Sequence, residues 1–353
     1  MANMTPTNLL QGIAKVSNRL NQPEFRMPNT AAVSTAYIGD LLDTPMNELR
    51  TREDRQTWFD WVVAKADEGA TERLYNHSGG RMDSLRNQIT WGTVVDTFSI
   101  SMKQLDNNSF SFEDVFAKGI LNSIQKNLVK FDNAFLALIL ADRTQVNAAN
   151  FGARGAFDAV DHVFELGADQ ADYWPQLIES TLNDNNYSDQ LIVLADSIAF
   201  IDMMRALNQG AGNSTNLFWQ FGNSKVVKTN KTIFSGYNGS AIAAPSNMLG
   251  LFPWIPKQNR KPIDEEKAMT TVNGDLGSIQ VPIYDGKGNV VYTIDAALSI
   301  YTKRADTSLS NGSKQDLLTE VELSWDYAYM SAPLSVANES VVYGFGLMPG
   351  GGA

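Results

Sequence analysis

Between Phe112 and Leu138 apolar side chains recur at every third or fourth position: Phe112, Phe116, Ile120, Ile124, Leu128, Phe131, Phe135 and Leu138. That spacing draws one continuous stripe at the helical period, widened by Val115, Leu121 and Ile139. Ser111 stands where an N-cap belongs, and Glu113 and Asp114 place carboxylates at the positive end of the helix dipole. The pattern predicts a helix over 111–143, roughly 50 Å long at about 1.5 Å per residue and well beyond the usual three or four turns. Gly119 weakens it by about 1 kcal/mol without ending it. The stripe has few flanking charge pairs, so a helix laid across a sheet fits better than a coiled coil.

The rest of the chain alternates between periods. Residues 9–20 form a short amphipathic helix, followed by a segment that Pro23, Pro28 and Pro45 interrupt. Residues 1–50 therefore read as an arm that buries little by itself. "REDRQTWFDWVVAKADEG" reads as a helix closed by Gly69, and Gly79-Gly80 as a turn. In "TWGTVVDTFSISM" Val94, Asp96, Phe98, Ile100 and Met102 alternate with a more polar set, the pattern of a half-exposed strand. Residues 144–170 read as an irregular or partly helical connection. "YWPQLIESTLND" reads as a helix, "DQLIVLA" as a buried strand and "DSIAFIDMMRAL" as a second helix, together a compact α/β layer.

Beyond residue 210 short β-like runs follow ("NLFWQFG", "SKVVKTNKTIF", "SAIAA"), and "FPWIPKQNRKPIDEE" reads as a surface loop. "GSIQVPIYDGKGNVVYTIDAAL" is the clearest hairpin, its two runs flanking a turn with two glycines. "LLTEVELSWDYAYMSAPLSVANESVVYGFGLMP" returns as strands before a "GGGA" tail. No repeat of fixed period is present.

Composition narrows the function classes. The 353 residues are 43% hydrophobic and 19% charged, as in a folded domain, and contain no cysteine, which removes disulfide and thiolate chemistry. The formal charge of −11 argues against a dedicated nucleic-acid binder. It is uneven: residues 1–30 carry Lys15, Arg19 and Arg26 against Glu24, so the arm is mildly basic and the body more acidic than the total. No run is long and apolar enough for a membrane span, and no cofactor motif appears. His77 and His162 are the only histidines, too few for a histidine-rich metal site. His162 could serve as an acid or base, and "DNNSFSFED" only approaches calcium-loop spacing, with Phe110 at a ligand position. Glu265-Glu266 reads as a solvated pair, and nothing selects two carboxylates for a glycosidase. No catalytic, cofactor-binding or metal residue is assigned.

The order of parts resembles the major capsid (coat) proteins of tailed bacteriophages, the Hong-Kong-97-type fold. "MANMTPTNLLQGIAKVSNRL" looks like that family's N-terminal arm and "ATERLYNHSGGRMDSLRNQITWGTVVDTFSISM" like its extended β-hairpin loop. "SFEDVFAKGILNSIQKNLVKFDNAFLALILADR" looks like its spine helix, and "YWPQLIESTLNDNNYSDQLIVLADSIAFIDMMRAL" is similar to the helix–strand–helix of its axial domain. The resemblance implies an α+β fold in five parts: arm 1–50, extended loop region with helix and hairpin 51–105, peripheral domain 106–170, axial domain 171–305, and returning peripheral strands with a tail 306–353.

It further implies a virion structural protein, not an enzyme, that assembles in the host cytoplasm into hexamers and pentamers of a shell around double-stranded DNA. A separate scaffolding protein, a portal and decoration proteins are the implied partners. Lys15, Arg19 and Arg26 are the candidates for weak, non-specific, salt-sensitive DNA contact. Residues 66–102 contain no lysine, so the covalent cross-linking of some family members is not expected. A tail or portal-associated component is the alternative, and a polysaccharide hydrolase the reading from a different class.

Overall fold

The computed structural model describes residues 5–22, 32–38, 52–62, 84–102, 105, 109–145, 156–185, 187, 190–207, 218–221, 224–260, 263, 274–284, 289–307, 314–334 and 340–349. The stripe gives the central element, helix α3 (Phe112–Ala141), with the Ser111 hydroxyl accepting from the Asp114 amide. Before it come α1 (Pro6–Leu20), α2 (Ala32–Tyr37), β1 (Trp58–Val62), β2 (Ser84–Gln88) and β3 (Thr90–Ser101). After it come β4 (Ala156–Asp158), β5 (Val163–Leu166), a 3₁₀ turn (Ala168–Tyr173), α4 (Trp174–Asp184), β6 (Leu191–Ala195) and α5 (Ser197–Leu207). The remainder is strand: β7 (Phe218–Phe221), β8 (Ser224–Lys228), β9 (Gly239–Pro245), β10 (Leu249–Trp254), β11 (Gly274–Tyr284), β12 (Val290–Thr307), β13 (Lys314–Ser331) and β14 (Tyr343–Leu347).

Two large sheets share the core. In the five-stranded sheet β13 is the spine. β3 runs antiparallel along one of its edges, while β12 and β10 follow one another along the other, and β11 pairs with β12 as the predicted hairpin. The seven-stranded sheet has the order β4-β5-β14-β9-β6-β8-β7 and is mixed, with β5/β14 and β6/β8 parallel. α3 lies over the five-stranded sheet. Phe131 meets Trp325 and Tyr327 edge-on at 6.1 and 5.5 Å, and Phe135 meets Tyr329 at 5.6 Å. Gly119 is needed on this face, because a Cβ there would stand 2.3 Å from the Phe98 ring. Helices α4 and α5 cover one face of the seven-stranded sheet with Trp174, Ile178, Leu182 and Met203. Its other face joins the core under α3, so every residue of β6 is buried.

Several expectations are corrected. The helix read over 52–69 has a strand at Trp58–Val62, because its aromatic residues and Val62 pair across to β2 more favourably than they coil. The connection 144–170 contains β4 and β5. Phe252-Pro253-Trp254, assigned to a surface loop, ends the buried strand β10, which a proline can occupy at the end of a strand. Sheet membership also crosses the expected domain limits. β10, β11 and β12, placed in the axial unit, belong with β13, whereas β14, expected to return to the peripheral sheet, pairs between β5 and β9. Periodicity labels a strand but not its partner, and these partners are distant in sequence. The Gly79-Gly80 turn, the glycine turn after Tyr284, the Glu265-Glu266 pair, Arg26 and the terminal tail lie outside the described residues.

Candidate assembly surface

Three elements bear on the candidate surface: a ribbon, an arm, and the buried stripe of α3 that supports them. The first is the β1/β2 ribbon, a two-stranded sheet in register Trp58↔Gln88 through Val62↔Ser84. Such a ribbon is marginal alone and needs an anchor. Its anchor is at the base. The Arg55 guanidinium lies against the Trp91 and Trp254 rings (5.6 and 5.9 Å) and pairs with Asp326 at 2.5 Å, and the same carboxylate accepts from the Thr93 hydroxyl. Asn87 donates to the Ser331 carbonyl (3.1 Å), and Ile89 is buried among Phe252, Ala328 and Met330. Beyond the anchor the ribbon exposes apolar groups: Trp58 is 47%, Val62 69% and Leu85 46% exposed. Phe59 and Trp61 pack edge-on at 4.9 Å, and Arg86 pairs with Asp60 across the strands at 2.8 Å. The Arg86 hydrogen bond holds the Asp60 carboxyl below its usual range.

The second element is the arm. Thr5 caps α1, Pro6 opens it, and Leu9, Gly12, Val16 and Leu20 face α3. Gly12 permits the approach, since a Cβ there would stand 2.7 Å from the Phe116 ring. Lys15 donates to Asp114 at 2.7 Å, and the Tyr284 hydroxyl donates to the Leu20 carbonyl at 2.9 Å. The Lys15 bond, then that of the Ser111 hydroxyl, lowers the Asp114 carboxyl from its ordinary value. Of the three cations proposed for DNA contact, Lys15 is thus paired within its own chain. Arg19 lines an open groove with Phe98, Leu105, Phe110, Val115 and Lys118.

The third element is the stripe itself. Phe112, Phe116, Ile120, Ile124, Phe131 and Phe135 are each 1% exposed or less, while Leu128 and Leu138 are half-buried and pack at the margin of the core. The centre of the buried face is polar, which the apolar spacing did not reveal. Ser123 donates to Asp96 at 2.7 Å, Asn127 donates to the Leu323 carbonyl at 2.8 Å, and Asp132 is fully buried. Ser123 and Asn127 fall at helical spacing from Ile120 and Phe131, and Asp132 from Leu128 and Phe135, so only assuming a strictly apolar face hid them. A further patch lies on α5, where Ile198 and Ile201 are more than half exposed beside Tyr173.

No catalytic constellation accompanies these surfaces among the described residues. His162 sits in a turn with its Nδ1 2.6 Å from the Gln145 carbonyl, and Asp158 accepts from the Val160 and Asp161 amides in the same turn. No group of three or more His, Asp or Glu converges as a metal site among the described residues, and no described helix is long and apolar enough to cross a membrane.

No family model matches this sequence, and no curated protein matches it. Solved structures of phage chains align with it over most of their length. A chain of the cyanophage Pam1 capsid asymmetric unit aligns over 85% of this chain and 87% of its own, with a TM-score of 0.45 at 10% identity. A chain from Mycobacterium phage Che8 aligns over 87% and 89%, with a TM-score of 0.44 at 10% identity. One from Mycobacterium phage Cain aligns over 92% and 91%, with a TM-score of 0.42 at 11% identity. This chain is similar to these phage chains along most of its length.

Proposed function

We propose that this protein is a phage coat subunit whose copies associate, as hexamers and pentamers, into a closed shell around double-stranded DNA. The observation that carries the reading is the β1/β2 ribbon: its outward face exposes Trp58 and Val62, and Leu85, opposite Trp61 on the other face, is exposed as well. A soluble monomer gains nothing by keeping the large apolar groups of this ribbon in water. A subunit that lays this ribbon over a neighbour removes those groups from water, at about 25 cal/mol per Å² of apolar surface covered. Around the ribbon stand the parts such a subunit needs, namely a long stiff helix, a sheet beneath it and a second α/β layer with its own exposed apolar patch. The chain's negative charge would keep the inner surface from gripping DNA tightly, so DNA contact is weak and salt-sensitive. A separate scaffolding protein, a portal and decoration proteins complete the proposed set of partners, and the virion is the proposed location.

Negative-stain electron microscopy of the purified chain, with and without a crowding agent and then with a co-expressed scaffold, tests the reading. Closed shells or sheets of hexameric texture are expected. Rings or tubes of one fixed diameter would instead assign the chain to a portal or tail.

A further inference from the structure

Helix α2 is only six residues long, yet it meets α3 and both large sheets. The Ser34 amide and hydroxyl both donate to Asp132 Oδ1 on α3, at 2.8 and 2.9 Å. The Tyr37 hydroxyl donates to the Ile192 carbonyl of β6 in the seven-stranded sheet (3.3 Å), and its ring packs edge-on against Phe135. Ile38, the next residue, bridges to Leu251 of the five-stranded sheet. Val33, Ser34 and Tyr37 are fully buried. Asp132 then reaches past α2, because its Oδ2 forms an ion pair with Lys231, which follows β8 of the seven-stranded sheet.

This arrangement is costly in water-free surroundings. Burial alone pushes the Asp132 carboxyl up and the Lys231 ammonium down, each against the pull of the other. Buried pairs of this kind can often be replaced by apolar residues without loss, whereas removing one partner is strongly destabilising. Their physical effect is to make contacts interdependent. If α2 withdraws, Asp132 loses two hydrogen bonds and holds Lys231 less well. If Lys231 withdraws, a bare carboxylate is left under Ser34.

We propose that Ser34, Asp132 and Lys231 form a conformational latch that couples the seating of the N-terminal segment to the position of the seven-stranded sheet on α3. The two attachments open and close together. A contact that draws the arm off its own chain therefore also frees the α/β layer to change its angle against the long helix.

Native-state hydrogen exchange on the full chain tests the latch through its reciprocity. Ser34→Ala should raise exchange in residues 229–234 as well as in 32–38, and Lys231→Met should raise it in 32–38 as well as around itself. Each remote effect should be about tenfold, within the range of ordinary coupling between sites. The double variant should exceed the larger single effect only slightly. Should Lys231→Met give no soluble chain, Asp132→Asn/Lys231→Met keeps the acceptor for Ser34, removes both charges and carries the same test. Exchange that rises only in the altered segment, or that rises equally in β11 and β12, would overturn the proposal.

Discussion

The arm and the ribbon enter the fold in opposite ways. Both are short elements that precede α3 in sequence, and both carry apolar residues at regular spacing. In the arm, Leu9, Val16, Val33 and Tyr37 are at most 2% exposed, whereas in the ribbon Trp58, Val62 and Leu85 stand between 46% and 69% exposed. The difference lies in what receives them. α1 packs closely on α3 because Gly12 leaves room for the Phe116 ring, and α2 finds a polar socket at Asp132. The ribbon is held at its base by Arg55, Asn87 and Ile89 and along one face by Phe59 and Trp61, while Trp58, Val62 and Leu85 stay exposed. Apolar side chains with a partner in their own chain make a core, and those without one make a surface for another chain.

The comparison can be broken from the core side first. Phe131→Asp puts an unpaired charge against Trp325 and Tyr327 and should cost several kcal/mol, enough to leave no soluble folded chain. Phe131→Ala should fold but lose about 3–5 kcal/mol in urea denaturation. If either were tolerated, the buried face of α3 would be misassigned.

Arg55→Ala tests the ribbon's base. It strips Asp326 of its cation and both tryptophans of their guanidinium, and should cost about 1–3 kcal/mol. Exchange should rise in β1 and β2 with little change in α1. An equal rise in α1 would show that the ribbon is not a separately anchored unit.

Lys15→Met has the smallest expected effect, at most about 1 kcal/mol for a pair this open to water. The sign with pH follows from Asp114, whose carboxyl is lowered in the folded chain. Its contribution is present above the unfolded carboxylate value near about 3.9 and fades as pH falls through the lower folded value. The difference in melting temperature between parent and Lys15→Met should therefore shrink on acidification, which calorimetry would detect. A difference that grew instead would mean that Lys15 is held by something other than this carboxylate.

Much of this architecture could be read directly from periodicity. α3 with its Ser111 cap, the buried β6 between two helices, the β11/β12 hairpin and the alternation along β3 all follow from residue spacing. What stayed hidden depended on partners far along the chain. Residues 58–62 became a strand because residues 84–88 were there to pair with them, and β14 crossed to the second sheet because β5 and β9 left a slot between them. The proline-rich arm looked unsupported because α2 is too short to announce itself, and nothing in the local pattern marks Asp132 because its partners Ser34 and Lys231 lie about a hundred residues away on either side. The exposed apolar ribbon is the part of the candidate surface that patterning missed, since reading Trp58–Val62 as helical would have turned those side chains elsewhere.

The most direct measurement is sedimentation velocity on Trp58→Ser/Val62→Ser/Leu85→Ser under conditions in which the parent assembles. These positions are exposed, so the folded chain should keep its circular dichroism spectrum and lose only about 0.5 kcal/mol per site at most. The account predicts a folded triple variant that remains a single subunit while the parent forms large particles. Particles of parental size from the triple variant would contradict the claim that this ribbon joins one copy to the next.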